Sequence, residues 1–216
     1  TIYSTFSHAN ETASPGYYQV YLDSYEINVE LTAAHRTGVQ RYEFSPKTKQ
    51  GRIKLDLGYA RNWDKTVETK IQIIDERHIA GYRKSTGWAK DQRVYFYTEF
   101  SVPFTDKQIT RSHERSDQNL MAQFYFDLSS NSQVEVRTAI SSVSIENAKM
   151  NFDHDDATRT FEEIRTSASE TWQQKLGKIQ IEASQDNKIQ FYTALYHSFL
   201  APRVFSDANG QYKGPD

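Results

Sequence analysis

Gly87 and Trp88 lie in Ile79-Ala-Gly-Tyr-Arg-Lys-Ser-Thr-Gly-Trp-Ala89, a polar stretch between two strand-like runs. Loops carry binding chemistry more often than strands do. A flat indole held by a glycine-containing turn can lie against the apolar face of a sugar ring. Arg83, Lys84 and Asp91 flank it with groups able to bond hydroxyls. On residue types alone the competing reading weighs more: Trp88 caps the core from a loop, and its charged neighbours are ordinary solvated side chains.

The other candidates are weaker. His8 and Glu11 are close in sequence, but acid/base work needs groups flanking a bond, and nothing supplies the partner. They read as a hydrogen-bonding pair where a strand begins. Asp153, Asp155 and Asp156 carry oxygens a cation would accept, yet the helical pattern after them makes them helix-capping residues. Asp207-Ala-Asn-Gly210 lacks the third oxygen ligand before its glycine and the closing Glu of a calcium loop, so it reads as a turn. His197, beside an aromatic helix face, reads as an interior histidine. Asn10-Glu-Thr12 matches a glycosylation acceptor, a triplet common by chance. The sequence has no Gly-rich phosphate loop, Gly-x-Ser-x-Gly elbow or His-Glu-x-x-His helix. No residue is therefore read as catalytic or metal-binding.

These residues need elements to position them. The 216 residues suffice for one large domain or one and a half. Net charge is -2, from 26 basic and 28 acidic residues, so no basic surplus exists to neutralise nucleic-acid phosphates. No apolar run is long enough to make a membrane-spanning helix. The opening Thr-Ile-Tyr-Ser-Thr-Phe lacks the basic and apolar regions of a signal peptide. The absence of cysteine excludes disulfides, zinc-thiolate sites and a cysteine nucleophile.

Residues 17 to about 146 read as successive strands. Ile27, Val29 and Leu31 alternate with polar residues, as do Ile53, Leu55 and Leu57, and Val134 and Val136. Val67, Ile71 and Ile73 are spaced by polar residues, and 93–100 and 121–128 are aromatic-rich runs. This patterning marks strands with one face buried and one wet. Ser14-Pro-Gly16, Ser45-Pro46, Gly51, Gly58 and Ser129-Ser-Asn-Ser132 punctuate them. Strands without intervening helices give an antiparallel sandwich. The pattern then changes. Phe161, Ile164, Ala168, Trp172 and Leu176 recur at helical spacing, with Glu162 and Glu163 in or near the first turn and Gly177 as C-cap. After a short Ile179-Gln-Ile181 segment, a second stripe runs through Ile189, Tyr192, Leu195, Tyr196 and Phe199 and stops before Pro202. The expected organisation is an α+β chain: a sandwich over 1–150, then helices over 151–216. The closing Val204-to-Asp216 stretch reads as an interior loop, and little chain remains to cover the second helix. The expectation is a part of a longer polypeptide.

Several separated segments together resemble the amino-terminal half of glycoside hydrolase family 92. They are Phe6-Ser-His-Ala-Asn-Glu-Thr-Ala-Ser-Pro-Gly-Tyr-Tyr18, Val29-Glu-Leu-Thr-Ala33, Leu55-Asp-Leu-Gly58, and Gly81-Tyr-Arg with Gly87-Trp-Ala89. They continue with Val143-Ser-Ile-Glu-Asn-Ala148, Phe191-Tyr-Thr-Ala-Leu-Tyr-His197, Ala201-Pro202, Phe205-Ser-Asp207, Gly210 and Tyr212. The resemblance implies a galactose-mutarotase-like antiparallel β-sandwich, linker helices and the beginning of an (α/α)6 barrel. It implies a calcium-dependent, inverting, exo-acting α-mannosidase, with α-1,2-linked mannose-containing glycans as the expected substrates. The catalytic acid and base and the calcium ligands would lie in the barrel, outside these residues. The remainder of that catalytic domain would be the partner of this chain, and the location would be periplasmic or secreted. Gly87 and Trp88 would then be substrate-binding, because the family's corresponding sandwich loop brings a tryptophan to the sugar at the mouth of the active site. Two rival roles are a free-standing carbohydrate-binding sandwich and a structural spacer that buries Trp88.

Overall fold

The computed structural model describes residues 3–60, 63–111, 119–155, 158–201 and 203–214. Eleven strands and three α-helices occur among the described residues. The larger sheet has eight strands, in the order β1 (Glu11–Ser14), β2 (Tyr17–Leu22), β3 (Ile27–Ala33), β4 (Thr37–Phe44), β11 (Gln133–Ser141), β8 (Gln92–Phe100), β7 (His78–Thr86) and β6 (Lys65–Ile73). The smaller has three: β5 (Gln50–Asp56), β10 (Leu120–Asp127) and β9 (Phe104–Arg111). Every pairing is antiparallel. The chain is an antiparallel β-sandwich followed by helices, as the strand patterning predicts.

Side chains alternate across a strand, and the two sheets use that alternation to build one core. Phe96 and Phe100 of β8, Ile79 of β7 and Val134 and Val136 of β11 meet Phe124 and Phe126 of β10. Phe100 lies 5.1 Å from Phe124 and 5.3 Å from Phe126, between ring centroids. Edge and tilted contacts of this kind add to the area they bury.

The expectation of one wet face fails for the middle of the larger sheet. Its far face is covered by helices. Ala80, Tyr97 and Ala139 pack with Ala148 and Phe152 of helix α1 (Ile145–His154). Tyr17 and Val39 pack with Phe161 and Ile164 of helix α2 (Phe161–Leu176). Ala80 and Ala139 are fully buried in that contact.

Helix α1 has no strong apolar period, which is why the strand pattern ran past its start. Ser144 caps it by accepting the Asn147 N–H at 3.1 Å, and Glu146 lies in its first turn. Asp153 and Asp155 do not begin a helix as their expected capping role requires. Asp153 and Asp155 lie at the carboxyl end of α1, where the helix dipole opposes negative charge. Lys149 offsets Asp153 at 2.7 Å, and the Arg36 N–H donates to the Asp155 carboxylate. Asp156 is outside the described residues. The cap of α2 is Thr160 instead, in a reciprocal capping box with Glu163.

The stripe predicted for α2 is the face it buries. Phe161 and Ile164 are buried, and Ala168, Trp172 and Leu176 are half-buried. Arg41 of β4 locks its first turn. The Arg41 guanidinium lies 4.0 Å above the Phe161 ring, bonds Glu162 at 2.7 Å and Glu135 at 3.0 Å, and pairs with Glu30 at 3.5 Å. Gly16, at φ +86°, turns the chain under α2, where an added Cβ would meet the Ala168 Cβ at 3.0 Å. Helix α3 (Gln185–Ser198), capped by Ser184, buries none of its residues. Its aromatic stripe is partly covered where Tyr196 meets Trp172 at 4.7 Å. His197 is exposed, so its interior assignment does not hold within these residues.

Replacing Phe161 with Ala should cost about 3–5 kcal/mol, the range for a buried aromatic truncated in a core. Urea denaturation followed by circular dichroism measures it. A cost below about 1 kcal/mol would show that α2 docks without this ring.

Candidate functional site

Strands β7 and β8 form a hairpin whose last paired residues are Ser85 and Gln92. Residues 87–91 make its tip, closed by the Gly87 N–H donating to the Ala89 carbonyl at 3.0 Å. Trp88 is 86% exposed there and does not cap the core. Gly87 lies against Asp64, where a Cβ would find ordinary contact at 3.4 Å from the Asp64 Cα.

The structure also brings up a residue that sequence reasoning passed over. Trp63, 61% exposed, stands 6.1 Å from Trp88 between ring centroids, with the ring planes inclined at 38°. It precedes the edge strand β6. Its neighbour Asp64 accepts from the Arg83 guanidinium at 2.9 Å, and that guanidinium also donates to the Ser85 hydroxyl at 3.2 Å. The signal was present: an aromatic among polar residues between two strand runs, as at Trp88. Only the pairing of β6 with β7 reveals that the two loops are adjacent.

The charges flanking Trp88 are paired, not simply solvated. Arg83 meets Asp64, and Lys84 donates to Glu68 at 2.7 Å. Asp91 accepts from Arg93 Nε at 3.0 Å and lies 3.6 Å from Lys213 Nζ. The Arg93 bonds hold the Asp91 carboxyl below the usual range.

Lys213 links the hairpin to the last part of the chain. Its backbone N–H donates to Ser142 Oγ at 3.2 Å. Upstream, the buried carboxylate of Asp207 accepts from Ser141 Oγ at 2.6 Å, Asn147 Nδ2 at 2.7 Å and Asn151 Nδ2 at 2.8 Å. Asn151 returns the contact by accepting the Ala208 N–H at 2.8 Å. The predicted turn is present, with Gly210 at φ +81° and its N–H on the Asp207 carbonyl. Its aspartate is a structural acceptor whose oxygens are already engaged. Among the described residues, no group of three or more His, Cys, Asp or Glu side chains is placed to hold a metal.

His8 and Glu11 do meet, at 2.6 Å, and Glu11 also accepts from Tyr18 at 2.6 Å. These bonds, Tyr18 foremost, hold the Glu11 carboxyl below its usual range. The pair sits at the beginning of edge strand β1, far from the Trp88 hairpin across the sheet order. It is a strand-start hydrogen-bonding pair, as read from sequence.

With this geometry in view, the chain's relatives can be placed. Residues 1–141 match the family model described as the glycosyl hydrolase family 92 N-terminal domain. Residues 147–216 match the glycosyl hydrolase family 92 catalytic domain. The chain belongs to glycosyl hydrolase family 92. Among solved structures it is similar to the family GH92 α-mannosidase BT3965 from Bacteroides thetaiotaomicron, at 32% identity and a TM-score of 0.89 over 98% of this chain and 30% of that one. The same α-mannosidase in complex with mannoimidazole matches at 32% identity and a TM-score of 0.89, over 98% of this chain and 29% of that one. The GH92 inverting mannosidase BT2199 from Bacteroides thetaiotaomicron VPI-5482 follows at 26% identity and a TM-score of 0.84, over 98% and 30%. This chain therefore spans about three-tenths of the length of these structures. No curated protein matches it.

The paired indoles should produce an exciton couplet in the far-ultraviolet circular dichroism spectrum. Trp63→Phe and Trp88→Phe should each remove it, and Asp64→Ala, which cuts the tie to Arg83, should weaken it. A couplet that survives either Trp→Phe change would place the coupling elsewhere.

Proposed function

We propose that these residues belong to an exo-acting, inverting α-mannosidase that removes terminal mannose from glycans, with α-1,2-linked mannose as its first substrate. The sandwich walls one side of the sugar pocket, and Trp88, carried on the Gly87 turn, contacts the sugar at its mouth. The observation that carries this reading is the bare Trp88 indole on a hairpin that Lys213, within the catalytic-domain match, ties down through Asp91. A buried Trp88 among these residues would have favoured a structural spacer instead.

In an inverting hydrolysis one carboxylic acid protonates the leaving oxygen while a carboxylate activates water from the opposite face of the sugar. Both groups, on this reading, lie outside the 216 residues. Calcium, which on the same reading would be held there by oxygen ligands, would supply a hard cation that helps distort the bound mannose. The residues here bind, orient and exclude water. The indole covers the apolar face of a ring, and a rigid two-sheet scaffold holds that indole at a fixed place. A periplasmic or secreted location belongs to the same proposal.

The test is mannose release from α-1,2-mannobiose by the polypeptide carrying its whole catalytic domain. Release should disappear with a calcium chelator and return when calcium is restored. Trp88→Ala should lower kcat/KM by about two- to tenfold, the equivalent of one aromatic contact, with an unchanged unfolding midpoint. Wild-type kinetics in Trp88→Ala would remove the indole from the site. Sugar binding by the 216-residue chain alone, without any release by the larger polypeptide, would favour a carbohydrate-binding module.

A further inference from the structure

We propose that Trp63 extends the Trp88 surface into a two-indole platform, and that it binds the sugar one residue further from the scissile bond than the sugar Trp88 contacts. The inference rests on the mannosidase reading above. It adds a residue that determines chain-length preference.

The sheet order supplies the direction. Residues 207–213 are fastened to the end of β11 and to α1, through Ser141, Ser142, Asn147 and Asn151. From β11 the larger sheet runs through β8 and β7 to its edge at β6. Trp88 tops the β7–β8 hairpin, and Trp63 precedes β6. Moving away from the segment that leads into the catalytic domain, the order is therefore Lys213, Asp91, Trp88, Trp63. An exo-acting enzyme takes the terminal sugar into its pocket and leaves the rest of the glycan pointing outward. A glycan leaving along this line meets Trp88 first and Trp63 next.

The chemistry of the patch fits a glycan better than a protein surface. Both indoles are more than half exposed, and their faces are inclined to one another instead of stacked flat. Two tilted planes suit two successive rings, which are themselves not coplanar. Arg83, Asp91 and Arg93 lie on the same hairpin, so the aromatic surface sits among charged groups able to bond hydroxyls. An interface core between protein domains is depleted in such charges. The residue next to Trp63 is also held in place: Asp64 is fastened to Arg83, and Gly87 packs on Asp64. A platform fixed before binding loses less entropy on binding.

The experiment compares Trp63→Ala, Trp63→Phe and Trp88→Ala in the polypeptide carrying its whole catalytic domain. The substrates are an α-linked mannobiose and the matching mannotriose that the wild type cleaves. Trp63→Ala should raise KM for mannotriose by about two- to tenfold, leave its kcat unchanged, and leave mannobiose untouched. Trp63→Phe should restore most of the loss, because a smaller aromatic face remains. Trp88→Ala should weaken both substrates. Equal loss on both substrates in Trp63→Ala would show that Trp63 merely steadies Trp88 or packs against the rest of the chain, and would overturn the inference. No change on either substrate, with Trp88→Ala still impaired, would overturn it while leaving the mannosidase reading standing. Failure of the wild type to release mannose from either substrate would instead remove the reading on which it rests.

Discussion

A buried carboxylate must be met by donors, and the way Asp207 meets its donors fixes much else in this protein. Asp207 is only 4% exposed, and it takes hydrogen bonds from a strand-end serine and two helix asparagines. Leaving such an acceptor unsatisfied would cost about 1–3 kcal/mol or more. The chain beyond α3 is therefore drawn back onto β11 and α1. From there it has one short path, past Ser142 to Asp91, which brings it beside the hairpin that carries Trp88. The link between sandwich and catalytic-domain segment is polar and directional, so it sets an orientation and not merely a contact.

The larger sheet is what makes that link rigid. Its central strands pack against the smaller sheet on one face and against α1 and α2 on the other. Arg41 shows how the two sides are coupled. One guanidinium reaches Glu30 and Glu135 on neighbouring strands and Glu162 on α2, while its flat face covers Phe161. Burial works against the charge, and the carboxylates around it outweigh that cost and leave the guanidinium more firmly protonated than usual. Helix α2 cannot slide over the sheet without breaking these bonds together. The Trp88 hairpin stands on strands of that same sheet, so loop and helices share one frame.

The proposed sugar-binding surface depends on exposure of two indoles among these residues. Trp63 and Trp88 are large apolar side chains left in solvent at one end of a well-packed sandwich. Folding would have gained by burying them. The residues beside them are instead fixed by ion pairs at the strand ends, Arg83 with Asp64 and Arg93 with Asp91. Polar groups fasten the bases and the aromatic tips remain free, an arrangement suited to binding.

The sequence by itself determined the local elements. Two-residue alternation marked the strands, the Phe161 stripe marked the buried face of α2, and Gly87-Trp88 marked an aromatic in a polar turn. Ordered motifs along the chain carried the family. Periodicity reports only whether a side chain is covered, however, and not by what. It could not show that Tyr97 and Ala80 face a helix, that Asp153 and Asp155 end one helix instead of beginning the next, or that His197 lies exposed. Nor could it show the surroundings of Asp207, whose partners lie 56 to 66 residues away in sequence. Trp63 and Trp88 were each readable as aromatics in polar loops, but their meeting depends on β6 pairing with β7 in one register. Such long-range juxtapositions are set by strand pairing and by the demand that buried polar groups find partners. Those are properties of the assembled chain, and the tertiary structure alone decided them.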